Sequence, residues 1–181
     1  FSKDGYTTIA HAGATGICGS GLIDIIAYLL DTGKISNEGL LEESFVVSPG
    51  SGNAIESDIL INQQDVREIQ LAKGAVAAGI QVLMKKAGLS FDEIDALFIA
   101  GGFGNYLDVE RAMRIGLIPR EMNGRAIQIG NAAGSGAVLA LKSVQVEKEL
   151  GQLGDKIEYI ELSYDEDFPV HFAMEMNFFD N

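Results

Sequence analysis

The chain has 181 residues, 47% of them hydrophobic, and 26 acidic against 13 basic side chains give it a formal net charge of −13. That is enough apolar material for the core of one domain or two small lobes, and it excludes a disordered chain. The acidic balance without clustered Lys or Arg argues against a nucleic-acid partner, because neutralising phosphates takes a basic patch.

No run of about 18 uncharged apolar residues is present, so no membrane span is expected. The start, Phe1-Ser2-Lys3-Asp4-Gly5, has neither the basic n-region nor the apolar stretch of a secretory signal. A cytoplasmic protein is the expectation. The chain opens without Met and enters a strand-like segment over 6–10 at once, which reads as a domain cut from a longer polypeptide. A glycine-rich loop at 13–21 follows and feeds a buried helix from about Ser20 to a stop at Gly33. Such a loop either binds an anion or packs the helix start tightly on a neighbour. Cys18 in this loop is the single cysteine, which excludes a disulfide framework and a self-contained iron–sulfur cluster of about four thiolates. His11 and His171 lack metal-ligand spacing, so no metal site is expected.

Residues 37–58 are irregular, the weakest seam of the chain, with Pro49-Gly50-Ser51-Gly52-Asn53 a turn between two apolar runs; a hairpin or surface subdomain excursion fits. The longest helix is expected over 63–87, with Val66, Ile69, Leu71, Val76, Ile80, Val82 and Leu83 forming a broad buried stripe. Ser90 and Glu93 form a capping-box pattern. A strand over 96–100 then runs into the cluster Gly101-Gly102-Phe103-Gly104-Asn105, followed by a helix near 108–115. A further strand at 126–129 enters a third glycine-rich loop, 130–136, and a helix over 137–150. An alternating strand at 157–162 and a last helix at 168–176 with Pro169 at its first position close the chain. Glu161, Asp165, Glu166 and Asp167 gather there as a solvated face and helix start, with a docking surface as the sharper reading. This alternation of helix and strand predicts an α/β fold.

Three glycines within residues 101–104 at a strand end permit close approach of a flat or anionic group to the main chain. Neither a Walker loop nor a properly spaced dinucleotide fingerprint is present. If the strands at 96–100 and 126–129 are neighbours, the loops at 101–104 and 130–136 open on one sheet edge and wall a single nucleotide pocket. Gln70 and Lys73, one turn apart on the long helix, are candidates to hydrogen-bond a ribose or purine there, with a surface lysine as the alternative for Lys73.

Four blocks in order, Gly16-Ile17-Cys18-Gly19-Ser20-Gly21-Leu22-Ile23-Asp24, the run from Asp65 to Ala75, the run from Ala100 to Leu107, and Gly130-Asn131-Ala132-Ala133-Gly134-Ser135-Gly136-Ala137, resemble the signature blocks of the C-terminal ATPase domain of reductive activators of corrinoid-dependent enzymes. The resemblance covers nearly the whole chain. It implies a ribonuclease-H-like lobe of the actin, sugar-kinase and heat-shock-chaperone ATPase superfamily, a mixed sheet flanked by helices. It implies that residues 1–181 are the later part of such a domain, lacking the first lobe. ATP or ADP with Mg would be bound by the parent protein, whose [2Fe-2S] domain lies outside this chain. The parent would use ATP to drive reduction of Co(II) to Co(I) in a corrinoid protein of a methyltransferase system. By position, Gly101, Gly102, Phe103, Gly104 and Asn105 would form the adenosine motif, Gln70 and Lys73 a clamping helix, and Asn131 with Gly134 part of the cleft.

The chain departs from the superfamily in lacking its Asp-Gly phosphate hairpins, so the isolated chain is expected to be inactive as an ATPase, and no general base is assignable. Two other readings stay open: a docking or scaffold lobe for a corrinoid protein, and an activator of 2-hydroxyacyl-CoA dehydratases. A homodimer is among the open oligomeric states.

Overall fold

Helix α1 (Gly19–Asp31) is apolar on most of its surface because the fold closes around it: Ile26, Ala27 and Leu29 are wholly inaccessible. The computed structural model describes residues 1, 3, 5–8 and 11–179. The chain leaves α1 through Gly33 in the left-handed region, φ +66°, and forms an antiparallel hairpin of β1 (Phe45–Ser48) and β2 (Ile59–Ile61). Its turn runs through a short 3-10 segment at Gly50–Gly52, so the excursion expected at 37–58 is largely this hairpin. Phe45, Val47 and Ile61 pack it onto the core around α1.

Helix α2 (Gln63–Ala87) begins and ends where its residues dictate. Asn62 accepts from the Gln64 and Asp65 N–H groups while Asp65 accepts from the Asn62 N–H, a complete capping box, and Gly88 ends the helix at φ +66°. The broad buried stripe expected along it is only half realised. Val66, Ala77, Ala78 and Val82 are buried, but Leu71, Val76 and Leu83 lie open, because α2 is covered on one side by helix α7 (Phe168–Glu175). At Gly74 the two helices come close, with the Glu175 carbonyl oxygen 3.4 Å from where a Cβ would stand, an ordinary contact distance.

After α2 come β3 (Leu97–Ala100), the single turn α3 (Gly101–Gly104), α4 (Val109–Arg114), β4 (Ala126–Gly130), α5 (Ala132–Lys142) and α6 (Val144–Gly154). Among the described residues the strands form two separate pairs, β1 with β2 and β3 with β4, in place of one mixed sheet. Phe98, Ile127 and Ile129 share the outer face of the β3–β4 pair and remain exposed. Three sequence expectations fail here. Tyr6–Thr8 carry no strand, and the rest of that expected strand, Ile9 and Ala10, lies outside the described residues. Residues 157–162 have the alternation of a strand but pair with no other strand among the described residues; the Glu161 carboxylate instead accepts from the Tyr159 hydroxyl and caps a 3-10 turn at Leu162–Tyr164. The helix expected over 137–150 begins at Ala132 and is interrupted at Ser143, whose hydroxyl caps α6.

Arg125 fixes β4 in place. Its guanidinium donates to the carbonyls of Phe91 at 2.9 Å, Ile94 at 2.5 Å and Glu121 at 2.6 Å. Arg125→Ala strips those carbonyls of a charged donor and is expected to lower stability by about 2–3 kcal/mol, read as a shift of the urea midpoint.

Candidate functional site

Strands β3 and β4 run parallel and adjacent, with Leu97 opposite Ala126, Phe98 opposite Ile127 and Ala100 opposite Gly130. Their carboxyl ends therefore lie side by side, and the glycine segments that follow them open on one edge, the position at which open α/β sheets bind ligands. The condition set by the sequence, that the two strands be neighbours, is met.

Within the cluster the three glycines have different reasons. Gly104 is buried and would drive a Cβ to 2.6 Å from Ile99 Cγ2, so packing alone requires it. Gly101, at φ +96°, and Gly102 have nothing within 4 Å of an added Cβ. Gly101 serves the backbone turn; neither turn nor packing accounts for Gly102. Phe103 is half exposed, and Asn105 Oδ1 lies 3.9 Å from where a Cβ of Gly130 would stand, which brings the first loop up to the second. In that second segment the Asn131 carboxamide oxygen accepts from the Gly134 N–H at 3.0 Å, and a Cβ on Gly134 would collide with it. Asn131 and Gly134 are thus engaged with each other as the cap of α5, which is why the helix starts earlier than the glycines suggest.

The loop before α1 joins the same group. Gly19 lies under the Phe103 ring, with a would-be Cβ 2.9 Å from Cε2. Beside it, hydrogen bonds from the Ser20 hydroxyl and the Gly21 N–H hold the exposed Cys18 thiol below the usual thiol range. A cavity of about 480 Å³ borders this loop, lined by Thr15, Gly16, Cys18, Gly21 and Ser48 among others, and residues 101–105 do not line it.

Two residues that sequence reasoning missed hold the cluster. Gln128 on β4 donates through Nε2 to the carbonyls of Gly104 and Leu107, pinning both ends of α3's exit. The signal was a single amide between Ile127 and Ile129 in an apolar strand. Arg111 on α4 donates to the Asp24 carbonyl of α1 at 3.0 Å, tying α1 to the helix that follows the cluster.

Gln70 and Lys73 are not gathered with these groups. Both are buried, and their partners lie in the C-terminal segment and, for Gln70, also in the turn at 36–39. Gln70 Nε2 donates to the carbonyls of Glu38 and Met176 at 3.0 Å each, and Lys73 Nζ donates to the Asn177 carbonyl beneath the rings of Phe178 and Phe179, at 5.5 and 5.4 Å from their centroids. The Phe178 N–H reaches the Asn37 carbonyl and Arg114 Nη1 the Phe179 carbonyl, each at 2.8 Å, so residues 176–179 form a strap across α2, the 36–39 turn and α4. The tail occupies the face that Gln70 and Lys73 share, on which the sequence reading expects a clamp for adenosine. Burial pushes the Lys73 ammonium down to about 8, opposed by the nearby Glu175 carboxylate. The acidic residues before the strap are also paired internally, Asp165 with Lys86 at 2.8 Å and Asp167 with Lys85 at 2.5 Å, which links the start of α7 to the end of α2.

Comparison with known proteins agrees with this architecture. Residues 2–181 match the family described as "C-terminal domain of RACo the ASKHA domain". The corrinoid activation enzyme RamQ of Eubacterium limosum is 32% identical over 97% of this chain and 33% of its own length. The [Co(II) methylated amine-specific corrinoid protein] reductase of Methanosarcina barkeri is 30% identical over 80% of this chain and 24% of its own. A solved structure of a reductive activator for corrinoid, iron-sulfur protein superposes with a TM-score of 0.88 at 31% identity, covering 96% of this chain and 30% of that one. The chain thus spans a third or less of the length of each of these relatives. With an α/β architecture of helices and small sheets that superposes on an actin-like ATPase domain over nearly its full length, the chain belongs to the family of RACo C-terminal ASKHA domains.

Proposed function

We propose that this chain is the adenosine-binding part of an ATP-dependent activator that returns a corrinoid protein from Co(II) to Co(I), with the electron supplied by a [2Fe-2S] domain elsewhere in the full-length protein. The observation that carries the reading is the unfilled space over Gly102 at the carboxyl edge of a parallel strand pair: neither packing nor backbone conformation requires a glycine there, and a flat ligand lying against the main chain does. Gly101, Phe103 and Asn105 would surround the nucleoside. Asn131 and Gly134 would border it through the cap of α5, and Gln70 and Lys73 would stay with the strap.

ATP matters because the Co(II)/Co(I) step is uphill, so nucleotide binding must favour a state of the partner in which the metal accepts the electron; a ligand shifts such an equilibrium only by its differential affinity for the two states. The partner would be a corrinoid protein, as for the named relatives, and we place it in a methyltransferase system. Calorimetric titration of ATP and ADP into the full-length protein and into residues 1–181 tests the reading. Binding by the full-length protein and much weaker binding by residues 1–181 is the expected pair of results. Absence of heat from both would reject the nucleotide role and favour a docking lobe.

A further inference from the structure

We propose that Gly19 is a positioning residue for this nucleoside site, acting through the ring of Phe103. The inference rests on the adenine-nucleotide reading of the glycine cluster. Of the residues that make up α3, Phe103 alone carries a side chain, so whatever lies along the cluster meets that ring. The ring in turn takes the space a side chain at position 19 would fill: a Cβ on Gly19 would stand 2.9 Å from Cε2 and 3.2 Å from Cδ2 of Phe103, closer than carbon atoms pack.

The backbone does not demand a glycine at 19. It is the first residue of α1 and lies outside the positive-φ region, where any L-residue fits and glycine is the weaker helix former. The helix cannot retreat from a larger residue either. Arg111 of α4 holds the Asp24 carbonyl at 3.0 Å and stands 3.8 Å from the Asp24 carboxylate, and α1 buries Ile23, Ile25 and Ile26 in the core. A methyl group at 19 therefore displaces the Phe103 ring and leaves α1 where it is. An apolar ring contributes to holding a flat heteroaromatic base and nothing to holding a phosphate chain. Gly19 accordingly tunes affinity for the nucleoside portion of the ligand.

The test uses the full-length protein in four forms: unmodified, Gly19→Ala, Phe103→Ala and the double variant, titrated with ADP and with pyrophosphate. Gly19→Ala is expected to weaken ADP about tenfold, within the range of coupling between residues in contact, and to add nothing once Phe103 is removed. Pyrophosphate binding stays unchanged. Unaltered ADP affinity in Gly19→Ala, or an equal loss in the Phe103→Ala background, overturns the proposal.

Fluorine NMR of protein labelled with fluorophenylalanine, the Phe103 signal assigned by its loss in Phe103→Ala, separates the two layers of the argument. With no nucleotide present, Gly19→Ala should shift that signal, and an unmoved signal overturns the contact itself. A shifted signal in a protein that binds no ADP in any form overturns the nucleotide reading and the role of Gly19 with it.

Discussion

Gly102→Val in the full-length protein is expected to weaken ADP binding by at least about a hundredfold, some 2.7 kcal/mol, while leaving the urea midpoint nearly unchanged. The asymmetry follows from the surroundings. An added Cβ at Gly102 meets nothing within 4 Å, so the folded protein tolerates the side chain, and valine is no worse a helix former than glycine. A ligand lying on the main chain meets the isopropyl group directly. Gly104→Val is the contrasting variant. Its Cβ would lie 2.6 Å from Ile99 Cγ2 inside the core, and it is expected to cost about 1–3 kcal/mol of stability whether or not nucleotide is present. Calorimetry and urea denaturation on both variants separate a glycine kept for a ligand from one kept for packing. Unchanged ADP affinity in Gly102→Val would remove the adenosine assignment from this loop.

The features read correctly from the sequence are those governed by neighbours in the chain. The end of the long helix before Gly88 and the pairing of Ser90 with Glu93 each involve groups within a few residues, and both form as expected. That β3 and β4 each lead through a glycine segment into a helix was legible from two apolar runs, whereas their pairing stood only as a condition until the strands were seen side by side. What the sequence did not reveal depends on residues far away. The spacing of Gln70 and Lys73 fixes that they share a helix face, but the occupant of that face, residues 176–179, lies over 100 residues further on: Gln70 to Met176 spans 106 positions. Leu71, Val76 and Leu83 read as core for the same reason, since periodicity reports an apolar face and not what covers it. Asn131 escaped notice as a cap because the glycines around it suggested a loop, and one side-chain bond to the Gly134 N–H decides for helix. Gly19 is invisible as a contact of Phe103 until α1 is laid against α3, 84 residues apart by number.

The strap predicts a pH dependence with a definite sign. Burial lowers the Lys73 ammonium from its ordinary 10.5 to about 8 in the folded protein. Between those two values the unfolded chain binds more protons than the folded one, so this lysine makes stability rise as pH increases through the window. Below about 8 both states carry the proton and the penalty of burying the charge is felt in full. At about 1.4 kcal/mol per unit the full swing is about 3–4 kcal/mol. The pull of Glu175 toward the charged form is already contained in the value of about 8, and the two phenylalanine rings over the ammonium favour the charged form further. Lys73→Met keeps most of the apolar stem and removes the titration. Urea denaturation of both proteins at intervals from pH 7 to pH 10.5 should therefore give a stability difference that moves steadily toward the unmodified protein as pH rises. At neutral pH the variant gives up the bond to the Asn177 carbonyl but sheds a buried charge, two effects of opposite sign. A difference that is flat across the window would mean that the ammonium is solvated, and that the strap does not close over Lys73 in solution.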